Sequence, residues 1–420
     1  MKSSETRSFA RVCVVGLGYI GLPTAAVLAT RGLDVVGVDV SPHVVETINR
    51  GEVHIEEPDL DIAVRSAVLS GKLRAVTRPE PADAFIVAVP TPFRDGHKPD
   101  LSYVEAAARA IAPVLEPGNL VVLESTSPVG TTGMVAELIA AARPDLRVAA
   151  TDAGAADIHL AYCPERVLPG RVLIELVDNA RVIGGLTPAA TEAAAALYRI
   201  FVSGECIPTD ARTAEMVKLT ENAFRDVNIA FANELSLICD ALGIDVWELI
   251  GLANHHPRVN ILQPGPGVGG HCIAVDPWFI VDSAPSQARL IRTAREVNDS
   301  KPGFVVDKVR KVLAATGAPV VACLGLAFKP DIDDLRESPA LDITHTIAQA
   351  TSGPVLVVEP HIDALPGSLS SMANVTLTTA EDAIARANIV VLLVNHRAFV
   401  TVPREALAGK AVIDTRGMWR

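Results

Sequence analysis

Aromatic residues make up only 4% of this 420-residue sequence and charged residues 20%, whereas hydrophobic residues make up 49%. The apolar content excludes a disordered chain, and the shortage of aromatic side chains means that Ala, Val, Leu and Ile must fill the cores. Positive charge is also scarce, since 37 Lys and Arg stand against 49 Asp and Glu, giving a net charge of −12. A field of that sign repels phosphate backbones, and we therefore expect no nucleic-acid partner.

Cysteine pairs and long uninterrupted apolar runs are also missing. The six cysteines include no CxxC pair and lie mostly in apolar stretches, which is typical of reduced thiols in a cytoplasmic protein. Residues 12–29 carry no charge, but three glycines and Pro23 interrupt them. A membrane span needs about 20 continuous apolar residues, and we therefore expect a cytoplasmic protein without one.

Short valine-rich runs alternate with alanine-rich stretches in both halves of the chain. The runs that predict strands are 11–15, 34–38, 85–89, 120–123, 320–324, 354–358, 389–393 and 411–413. Residues 211–242 contain no Gly or Pro and place apolar residues at helical spacing, which predicts one long helix ending at Gly243. The alternation is expected to return after Pro302. The predicted fold class is α/β, with two Rossmann-like doubly wound domains, 1–205 and 304–420, joined by a helical middle domain, 206–303.

The first predicted strand runs into a GxGxxG pattern and then a helical stretch. Gly16 permits a tight turn, Gly18 lets a pyrophosphate approach the backbone, and Gly21 lets helix and strand pack closely. Asp39 ends the next strand, where a carboxylate accepts hydrogen bonds from the adenosine ribose and repels a 2′-phosphate. The pattern predicts a site for NAD rather than NADP, with a purely structural glycine turn as the alternative.

Two further strands end in residues with hydroxyl groups, among them Thr91 and Thr126. Ligands of open α/β sheets bind at the carboxyl ends of strands, so both side chains are candidates for the same crevice. Taken alone, each threonine is more typical of an ordinary cap.

Residues 264–277 read Pro-Gly-Pro-Gly-Val-Gly-Gly-His-Cys-Ile-Ala-Val-Asp-Pro. Such glycine density makes room for a ligand or builds a nest of N–H groups, and a cysteine at its end, beside His271, has access and an electropositive surround. A thiolate that adds to an aldehyde creates a carbon from which hydride leaves readily, so Cys272 predicts aldehyde oxidation next to an NAD site. The alternative, a buried structural cysteine, is the interpretation for Cys13, Cys239 and Cys323.

Lys218 and Asn222 lie one turn apart on the predicted long helix. A partly buried lysine can act as a base or stabilise an alkoxide, and a solvated helix face is the alternative. The histidines at 255, 256 and 271 do not match zinc spacings with Cys272 and Asp276, and we therefore expect no metal.

These segments together resemble the UDP-glucose/GDP-mannose dehydrogenase family from end to end. The matching motifs are GLGYIGLP at 16–23, VPTP at 89–92, ESTSPVGTT at 124–132, CPERVLPG at 163–170, EMVKLTENAFRDVNIAFANE at 215–234, GGHCIAVDP at 269–277 and FKPDIDDLRESP at 328–339. Within the family, the HPRVN and GGHC segments are similar to the branch that oxidises UDP-N-acetyl-D-mannosamine, whereas the UDP-glucose branch usually carries Ser before the cysteine.

The resemblance implies roles for individual residues. Cys272 would be the nucleophile and Lys218 the acid/base group. Asn222 and Asp276 would support the oxyanion and water steps, with Thr126 and Glu165 close to them. The residues expected to contact the sugar nucleotide are Glu165, Arg166, Lys218, Asn222, Arg225, His256, Arg258, Gly269, Phe328 and Lys329. Those expected to contact NAD are Gly16, Gly18, Tyr19, Ile20, Gly21, Asp39, Thr91, Thr126 and Arg336.

The resemblance further implies a homodimer formed through the middle domain, and a four-electron oxidation of UDP-N-acetyl-D-mannosamine that supplies a precursor of surface polysaccharide. UDP-N-acetylglucosamine and UDP-glucose are alternative substrates. A two-electron enzyme of the 6-phosphogluconate dehydrogenase type and a non-catalytic nucleotide sensor are alternative classes. The first needs no cysteine nucleophile and the second needs none of Lys218, Asn222, Cys272 and Asp276, so the combination counts against both.

Overall fold

Buried valine-rich runs form the strands of the N-terminal half, because β-branched side chains pack well in a sheet covered on both faces. The computed structural model describes residues 9–94, 96–148, 156–168, 170–270, 272–316 and 319–420. The chain divides into two compact units, Met1–Glu221 and Asn222–Arg420, whose boundary falls inside one long helix. The division into three domains, with boundaries after residues 205 and 303, stays a prediction.

The N-terminal unit contains an eight-stranded sheet and a short two-stranded one. The strands are β1 (Arg11–Val15), β2 (Asp34–Val38), β3 (Leu73–Val76), β4 (Ala84–Val87), β5 (Phe93–Arg94), β6 (Lys98–Pro99), β7 (Leu120–Leu123), β8 (His159–Tyr162), β9 (Arg181–Gly185) and β10 (Cys206–Asp210). The helices are α1 (Gly21–Thr30), α2 (Pro42–Asn49), α3 (Leu60–Leu69), α4 (Ser102–Ile111), α5 (Thr131–Ala142), α6 (Val172–Asp178) and α7 (Pro188–Tyr198).

The order of the large sheet is β10-β9-β8-β7-β4-β1-β2-β3. All neighbouring strands are parallel except β8 and β9, which pair antiparallel, so the doubly wound arrangement is confirmed with one reversed pair. Successive residues of β1 face opposite cores: Val12 and Val14 lie in one apolar cluster, and Cys13 and Val15 lie in the other. The strand order reverses between β1 and β4, where ligands of such sheets bind.

Helix α8 (Ala211–Leu242) is the predicted long helix, and it has the predicted bounds. Gly243 follows it with a φ of +69°, a left-handed conformation that favours glycine and ends the helix. Helix α9 (Val246–Ala253) comes next, with the Asp245 side chain capping its first N–H groups.

The C-terminal unit ends in a five-stranded parallel sheet of order β13-β12-β11-β14-β15. Its strands are β11 (Val321–Leu324), β12 (Val355–Val358), β13 (Val375–Leu377), β14 (Ile389–Leu392) and β15 (Ala411–Asp414). Its helices after α9 are α10 (Asp276–Ser283), α11 (Arg289–Thr316), α12 (Pro339–Ala350), α13 (Gly367–Ser370) and α14 (Ala380–Arg386). Every neighbouring pair is parallel, and the order repeats that of the first sheet around β1, which confirms a second Rossmann-like fold.

Pro302 does not end a helix, contrary to the expectation that strands and helices alternate again directly after it. Helix α11 runs through it to Thr316, because the buried face continues on both sides, with Asn298 before and Val305 and Val309 after the proline. One lost backbone hydrogen bond is a smaller loss than exposing that face. The predicted boundary at residue 303 therefore falls within a helix.

Among the described residues, none of the helices combines the length and hydropathy that crossing a bilayer requires.

Candidate active site

The glycine turn after β1 has the geometry of a dinucleotide site. Gly16 has a φ of +92°, and a Cβ there would come within 2.5 Å of the Ala88 carbonyl oxygen. A Cβ on Gly21 would lie 1.8 Å from the Gly16 oxygen, whereas a Cβ on Gly18 would meet no atom within 4 Å. Helix α1 begins at Gly21 without a capping side chain or an acidic residue in its first turn. The turn therefore leaves space and N–H groups for a pyrophosphate, which fits NAD.

Asp39 lies at the end of β2, half-buried beside this turn. Its carboxylate accepts hydrogen bonds from the Leu17 N–H at 3.2 Å and the Ser41 N–H at 2.9 Å. These bonds orient the side chain and leave lone pairs for further donors, as a ribose diol would supply. Tyr19 and Ile20 complete the turn, and Tyr19 is 41% exposed.

The loops that follow β4 and β7 are joined to each other. Thr91 donates its hydroxyl hydrogen to the Thr126 carbonyl oxygen at 2.6 Å, and Ser125 donates to the Val89 oxygen at 2.7 Å. Both threonines are half-buried at the sheet edge where strand order reverses. The structure therefore places Thr91 and Thr126 together. The hydrogen bond donated by the Thr91 hydroxyl is one between protein groups, which is also what the cap interpretation predicts.

The loop after β8 reaches the first half of helix α8 through two ion pairs. Lys218, which is only 6% exposed, lies with its Nζ 3.4 Å from Glu165 Oε1. Arg166 pairs with Glu221, with Nη2 2.6 Å from Oε1 and Nε 3.1 Å from Oε2. A buried ammonium beside one carboxylate can pass a proton with little solvent involvement, so this pair suits an acid/base role.

Cys272 is exposed in the turn that leads into helix α10. Its carbonyl oxygen accepts the N–H groups of Val275 at 3.1 Å and Asp276 at 2.9 Å. Asp276 is 3% exposed, and its carboxylate accepts a hydrogen bond from the Asn222 amide at 2.5 Å. Asn222 lies on α8, so this hydrogen bond joins the start of α10, four residues after Cys272, to that helix.

The glycine-rich loop before Cys272 packs against the loop before α12. A Cβ on Gly269 would lie 2.3 Å from the Glu337 carbonyl oxygen, and a Cβ on Gly270 would lie 2.9 Å from the Phe328 ring. The glycines are therefore required by close approach, and Phe328 lies against the segment that carries the cysteine. His271 falls outside the described residues.

The other predicted contact residues lie at the surface of their units. Arg336 forms a bidentate pair with Asp334, at 2.9 and 2.6 Å, and His256 Nδ1 accepts the Arg258 N–H at 3.3 Å. The exposed members of this remaining group are Arg225, His256, Arg258, Lys329 and Arg336. Their exposure is compatible with ligand contact. The role of each of these residues stays a prediction.

Cys13, Cys239 and Cys323 are at most 2% exposed, as expected for structural cysteines. Burial raises the pKa of the Cys13 and Cys323 thiols to about 12, which keeps them protonated. No disulfide joins the six cysteines, all of which lie in the described part of the chain. Cys272 differs from these three in being accessible.

Two buried glutamates in the N-terminal unit were missed by the sequence analysis. Glu215 on α8 accepts three hydrogen bonds from the start of α5, from the Gly130 N–H at 2.6 Å, the Thr132 N–H at 2.8 Å and the Thr132 hydroxyl at 2.7 Å. It fixes the turn of α8 that precedes Lys218. Glu124, at the end of β7, accepts a hydrogen bond from the Tyr198 hydroxyl at 3.1 Å. Burial raises the pKa of Glu124 to about 7, although nearby Arg181 opposes the shift.

Arg416 was also missed. Its guanidinium lies so close to Gly265 that a Cβ there would come within 2.7 Å of Nη1, and its Nε donates to the Leu393 oxygen at 3.0 Å. Arg416 follows β15 and therefore lies at the carboxyl end of a strand, where ligands of such sheets bind. That position is the signal by which the sequence could have identified it.

A buried polar network supports the same loop from α8 and α11. The Asp226 carboxylate pairs with Arg295 at 2.6 Å and accepts from the Asn298 amide at 2.7 Å. Asn233 donates to Asn298 at 2.8 Å and accepts the Gly265 N–H at 2.8 Å. Hydrogen bonds between helices that are distant in sequence carry no local signal, which explains why sequence reasoning did not find this network.

Three family models match successive parts of the chain. Residues 10–202 match the NAD binding domain of the UDP-glucose/GDP-mannose dehydrogenase family, residues 212–300 match its central domain, and residues 322–420 match its UDP binding domain. The first match confirms NAD as the cofactor. The third agrees with a second Rossmann-like fold that serves a different ligand.

Individual relatives cover nearly the whole chain. An NDP-N-acetyl-D-galactosaminuronic acid dehydrogenase of Ralstonia nicotianae is 64% identical over 411 residues, which are 98% of this chain and 96% of the relative. A UDP-N-acetyl-D-mannosamine dehydrogenase of Escherichia coli (strain K12) is 59% identical over 421 residues, covering 98% and 100%. The solved UDP-D-ManNAc dehydrogenase of Pyrococcus horikoshii superimposes with a TM-score of 0.86 at 40% identity, covering 98% and 96%.

Proposed function

Because the chain belongs to the UDP-glucose/GDP-mannose dehydrogenase family, whose three domains it carries in order, we propose that it oxidises the C6 alcohol of a UDP-N-acetylhexosamine to a carboxylate. The observation that carries the proposal is the exposure of Cys272. Four residues later, the buried Asp276 carboxylate accepts a hydrogen bond from the Asn222 amide. A two-electron dehydrogenase needs no such cysteine.

The residues divide the chemistry between them. Bound NAD, two molecules per substrate, accepts the four electrons. Lys218 first passes a proton to Glu165, and the resulting amine takes the proton of the alcohol as the aldehyde forms. The Cys272 thiolate adds to the aldehyde carbon as a thiohemiacetal, and oxidation of that carbon leaves a thioester. Water then cleaves the C–S bond, giving the carboxylate and returning the thiol, with Thr126, Asn222 and Asp276 supporting the oxyanion and the water.

The sugar is proposed to be N-acetyl-D-mannosamine, on the strength of the HPRVN and GGHC segments and the 59% identity to the Escherichia coli relative. A nucleotide-linked N-acetylgalactosamine is the second candidate, since the Ralstonia nicotianae relative at 64% identity is named for the corresponding uronic acid. Both are UDP-N-acetylhexosamines in this proposal, and they differ in the configuration of ring carbons.

Purified enzyme is assayed with NAD and the UDP derivatives of N-acetylmannosamine, N-acetylgalactosamine, N-acetylglucosamine and glucose. We expect two NADH per sugar and a uronate product, with the highest kcat/KM on UDP-N-acetylmannosamine. A preference for UDP-N-acetylgalactosamine would replace the sugar and keep the reaction. One NADH per sugar with a stable aldehyde or ketone would refute the four-electron reaction.

Substituting the nucleophile tests the covalent step. Cys272→Ser should lower uronate formation by several orders of magnitude, because a serine hydroxyl stays protonated at neutral pH and attacks poorly. Its Tm should stay near wild type, since residue 272 is exposed. Cys323→Ser is the matched control and should lower Tm while the remaining folded enzyme keeps its turnover, because that thiol is buried. Near-normal rates in Cys272→Ser would remove the cysteine from the mechanism.

We also propose a homodimer that forms through α8. Phe224, Phe231 and Ile238, spaced by seven residues, are 70%, 52% and 48% exposed, and Leu242 next to them is 66% exposed. The spacing places them on one helix face, and an apolar stripe of this length on a folded unit fits a second copy. Light scattering should give twice the chain mass for wild type, and Phe231→Glu should give a monomer. A wild-type monomer at micromolar concentration would refute the proposed homodimer.

We further propose that the protein is located in the cytoplasm and takes part in the synthesis of a surface polysaccharide precursor.

A further inference from the structure

In the second Rossmann-like fold, a buried carboxylate after the second strand binds the glycine turn that follows the first strand. Gly325 follows β11 with a φ of +92°, as Gly16 follows β1. Glu359 follows β12 and is 4% exposed, and its Oε2 accepts the Leu326 N–H at 2.7 Å and the Ala327 N–H at 3.0 Å. The N–H groups of this turn are therefore bound by the protein itself.

His396 connects this carboxylate to the loop that carries Phe328 and Lys329. It is fully buried after β14, and its Nε2 lies 3.1 Å from Glu359 Oε2. Its Nδ1 accepts the Asp331 backbone N–H at 2.9 Å. An N–H group can only donate, so Nδ1 carries a lone pair and the ring proton is on Nε2, directed at Glu359. Burial would raise the pKa of Glu359, but the bond from His396 and the backbone N–H groups lower it below the ordinary value.

The loop is held at its middle by these contacts. Asp331 has a φ of +60°, which a non-glycine residue adopts only when its surroundings hold it there. Arg397 binds the Asp331 carboxylate through its N–H at 3.0 Å and its Nε at 2.8 Å. The Phe328 N–H donates to the Asp334 oxygen at 3.2 Å, which closes the loop around Asp331.

The shape of this loop decides where Phe328 lies. The ring packs on Gly270, with Cε2 only 2.9 Å from the place of a Cβ there, and Lys329 beside it is exposed. A change at Asp331 therefore alters the position of the Phe328 ring and of the cationic Lys329 side chain.

We propose that His396, oriented by Glu359, is a positioning residue that holds the loop 328–334 in the form that binds the uridine diphosphate part of the substrate. The inference rests on the proposed function, because it takes Phe328 and Lys329 as substrate contacts. His396 acts through the Asp331 N–H and does not touch the reacting atoms.

A metal site is the competing interpretation of the same side chains. One ligand atom from each of Asp331, His361 and His396 lies within 4.8 Å of the others. Both ring nitrogens of His396 are already hydrogen-bonded, and the Asp331 carboxylate is bound by Arg397. A metal ion would have to break these contacts, so the arrangement favours the hydrogen-bonded chain.

Two replacements of His396 separate its two bonds. His396→Gln keeps a donor toward Glu359 and removes the acceptor of the Asp331 N–H. His396→Asn keeps an acceptor near the place of Nδ1 and removes the donor. We expect His396→Gln to raise the Kd for UDP, measured by calorimetry, and the KM for the UDP-sugar about tenfold, with kcat and the KM for NAD within about twofold. His396→Asn should restore most of the UDP affinity and lower Tm, because Glu359 loses a donor.

Two surface variants complete the test. Arg397→Gln removes the contact of the Arg397 guanidinium with the Asp331 carboxylate. The substitution leaves the core intact because the side chain is 87% exposed, and it should raise the Kd for UDP about threefold. Arg386→Gln, which removes an exposed ion pair with Asp382 on α14, is the control and should bind UDP like wild type. Unchanged UDP binding in both His396→Gln and Arg397→Gln, a fall in kcat alone, or stoichiometric metal in wild type that His396→Gln lacks would overturn the proposal. Wild type that binds UDP but oxidises no UDP-sugar would instead refute the proposed function.

Discussion

The two Rossmann-like folds of this chain share a strand order and a glycine turn, but the surroundings of the N–H groups in that turn differ. After β1, Gly18 borders open space and α1 begins at Gly21 without a cap. After β11, Glu359 binds two N–H groups of the turn, and α12 begins only at Pro339 with Ser338 as its cap. A dinucleotide needs those N–H groups for its phosphates, so a carboxylate that binds two of them makes the turn of the second fold unsuited to a pyrophosphate.

The acidic residues at the second strand of each fold show the same contrast. Asp39 is half-buried and receives one N–H of its glycine turn, at 3.2 Å, so it can still bind a ribose. Glu359 is buried and saturated by three backbone N–H groups and His396. The Asp39 carboxylate is predicted to bind a ligand, whereas the Glu359 carboxylate binds groups of the protein itself. Equal topology therefore does not imply an equal site.

The largest expected effect is the difference in NAD affinity between substitutions in the two glycine turns. Gly18→Val should lower NAD affinity by about 100-fold or more with little change in Tm, because its side chain enters ligand space and meets little protein. Gly325→Ala should leave NAD affinity unchanged and lower Tm by several degrees, because its Cβ would lie 2.4 Å from Val394 Cβ and its φ is +92°. NADH fluorescence titration and thermal unfolding measure both. Equal loss of NAD affinity in the two variants would remove the contrast.

A smaller effect is expected at the two acidic residues. Asp39→Asn should lower kcat/KM for NAD about tenfold and narrow the preference over NADP, because the repulsion of a 2′-phosphate is lost. Glu359→Gln should leave the ratio of the two cofactors unchanged. Steady-state kinetics with NAD and NADP decide the matter, and a wild-type preference for NADP would contradict the role of Asp39.

The buried carboxylates of the two folds should respond to pH in opposite directions. Burial raises the pKa of Glu124 to about 7, so the stability that its protonated form contributes is complete in acid and is lost as pH rises through about 7. Hydrogen bonds outweigh burial and lower the pKa of Glu359, so its contribution is present at neutral pH and is lost as pH falls below about 4.

Thermal unfolding from pH 3.5 to 8.5 measures these contributions. Glu124→Gln should flatten the Tm profile between about pH 5 and 8, and Glu359→Gln should flatten only its acid limb. Burial also raises the pKa of Glu215, so Glu215→Gln should change the Tm profile in the same direction as Glu124→Gln. A Glu124→Gln profile parallel to wild type across neutral pH would show that Glu124 does not titrate there.

The smallest effect concerns surface ion pairs, one from each fold. Lys72 lies 2.8 Å from Asp34, and Arg386 lies 2.8 Å from Asp382, with all four side chains largely solvated. Lys72→Gln and Arg386→Gln should each change Tm by no more than about 1 °C at physiological salt. A shift of several degrees in either variant would mean that the pair is coupled to the fold around it.

Much of the architecture was predictable from local pattern. The strands at 11–15, 34–38 and 120–123 and the helix at 211–242 have the predicted bounds, because alternation and helical spacing are properties of neighbouring residues. The antiparallel pairing of β8 with β9 and the passage of α11 through Pro302 were not predicted. Both depend on which buried surfaces meet, which local pattern does not contain.

For the candidate site, the sequence by itself predicted which residues have a chemical function and where glycine is required. It singled out Gly16, Asp39 and Cys272 because each lies in a short motif with a local physical meaning, and Lys218 through the family resemblance. The roles of Asp39, Lys218 and Cys272 stay predictions. Only the tertiary structure decided which polar side chains are fixed by hydrogen bonds, and which residues are their partners. Glu359 and His396 are separated by 37 residues, and Asp331 and His396 by 65, yet they form one hydrogen-bonded chain. Strand order brings these segments to one edge of the sheet, and strand order depends on the packing of the whole fold and not on any short segment of it.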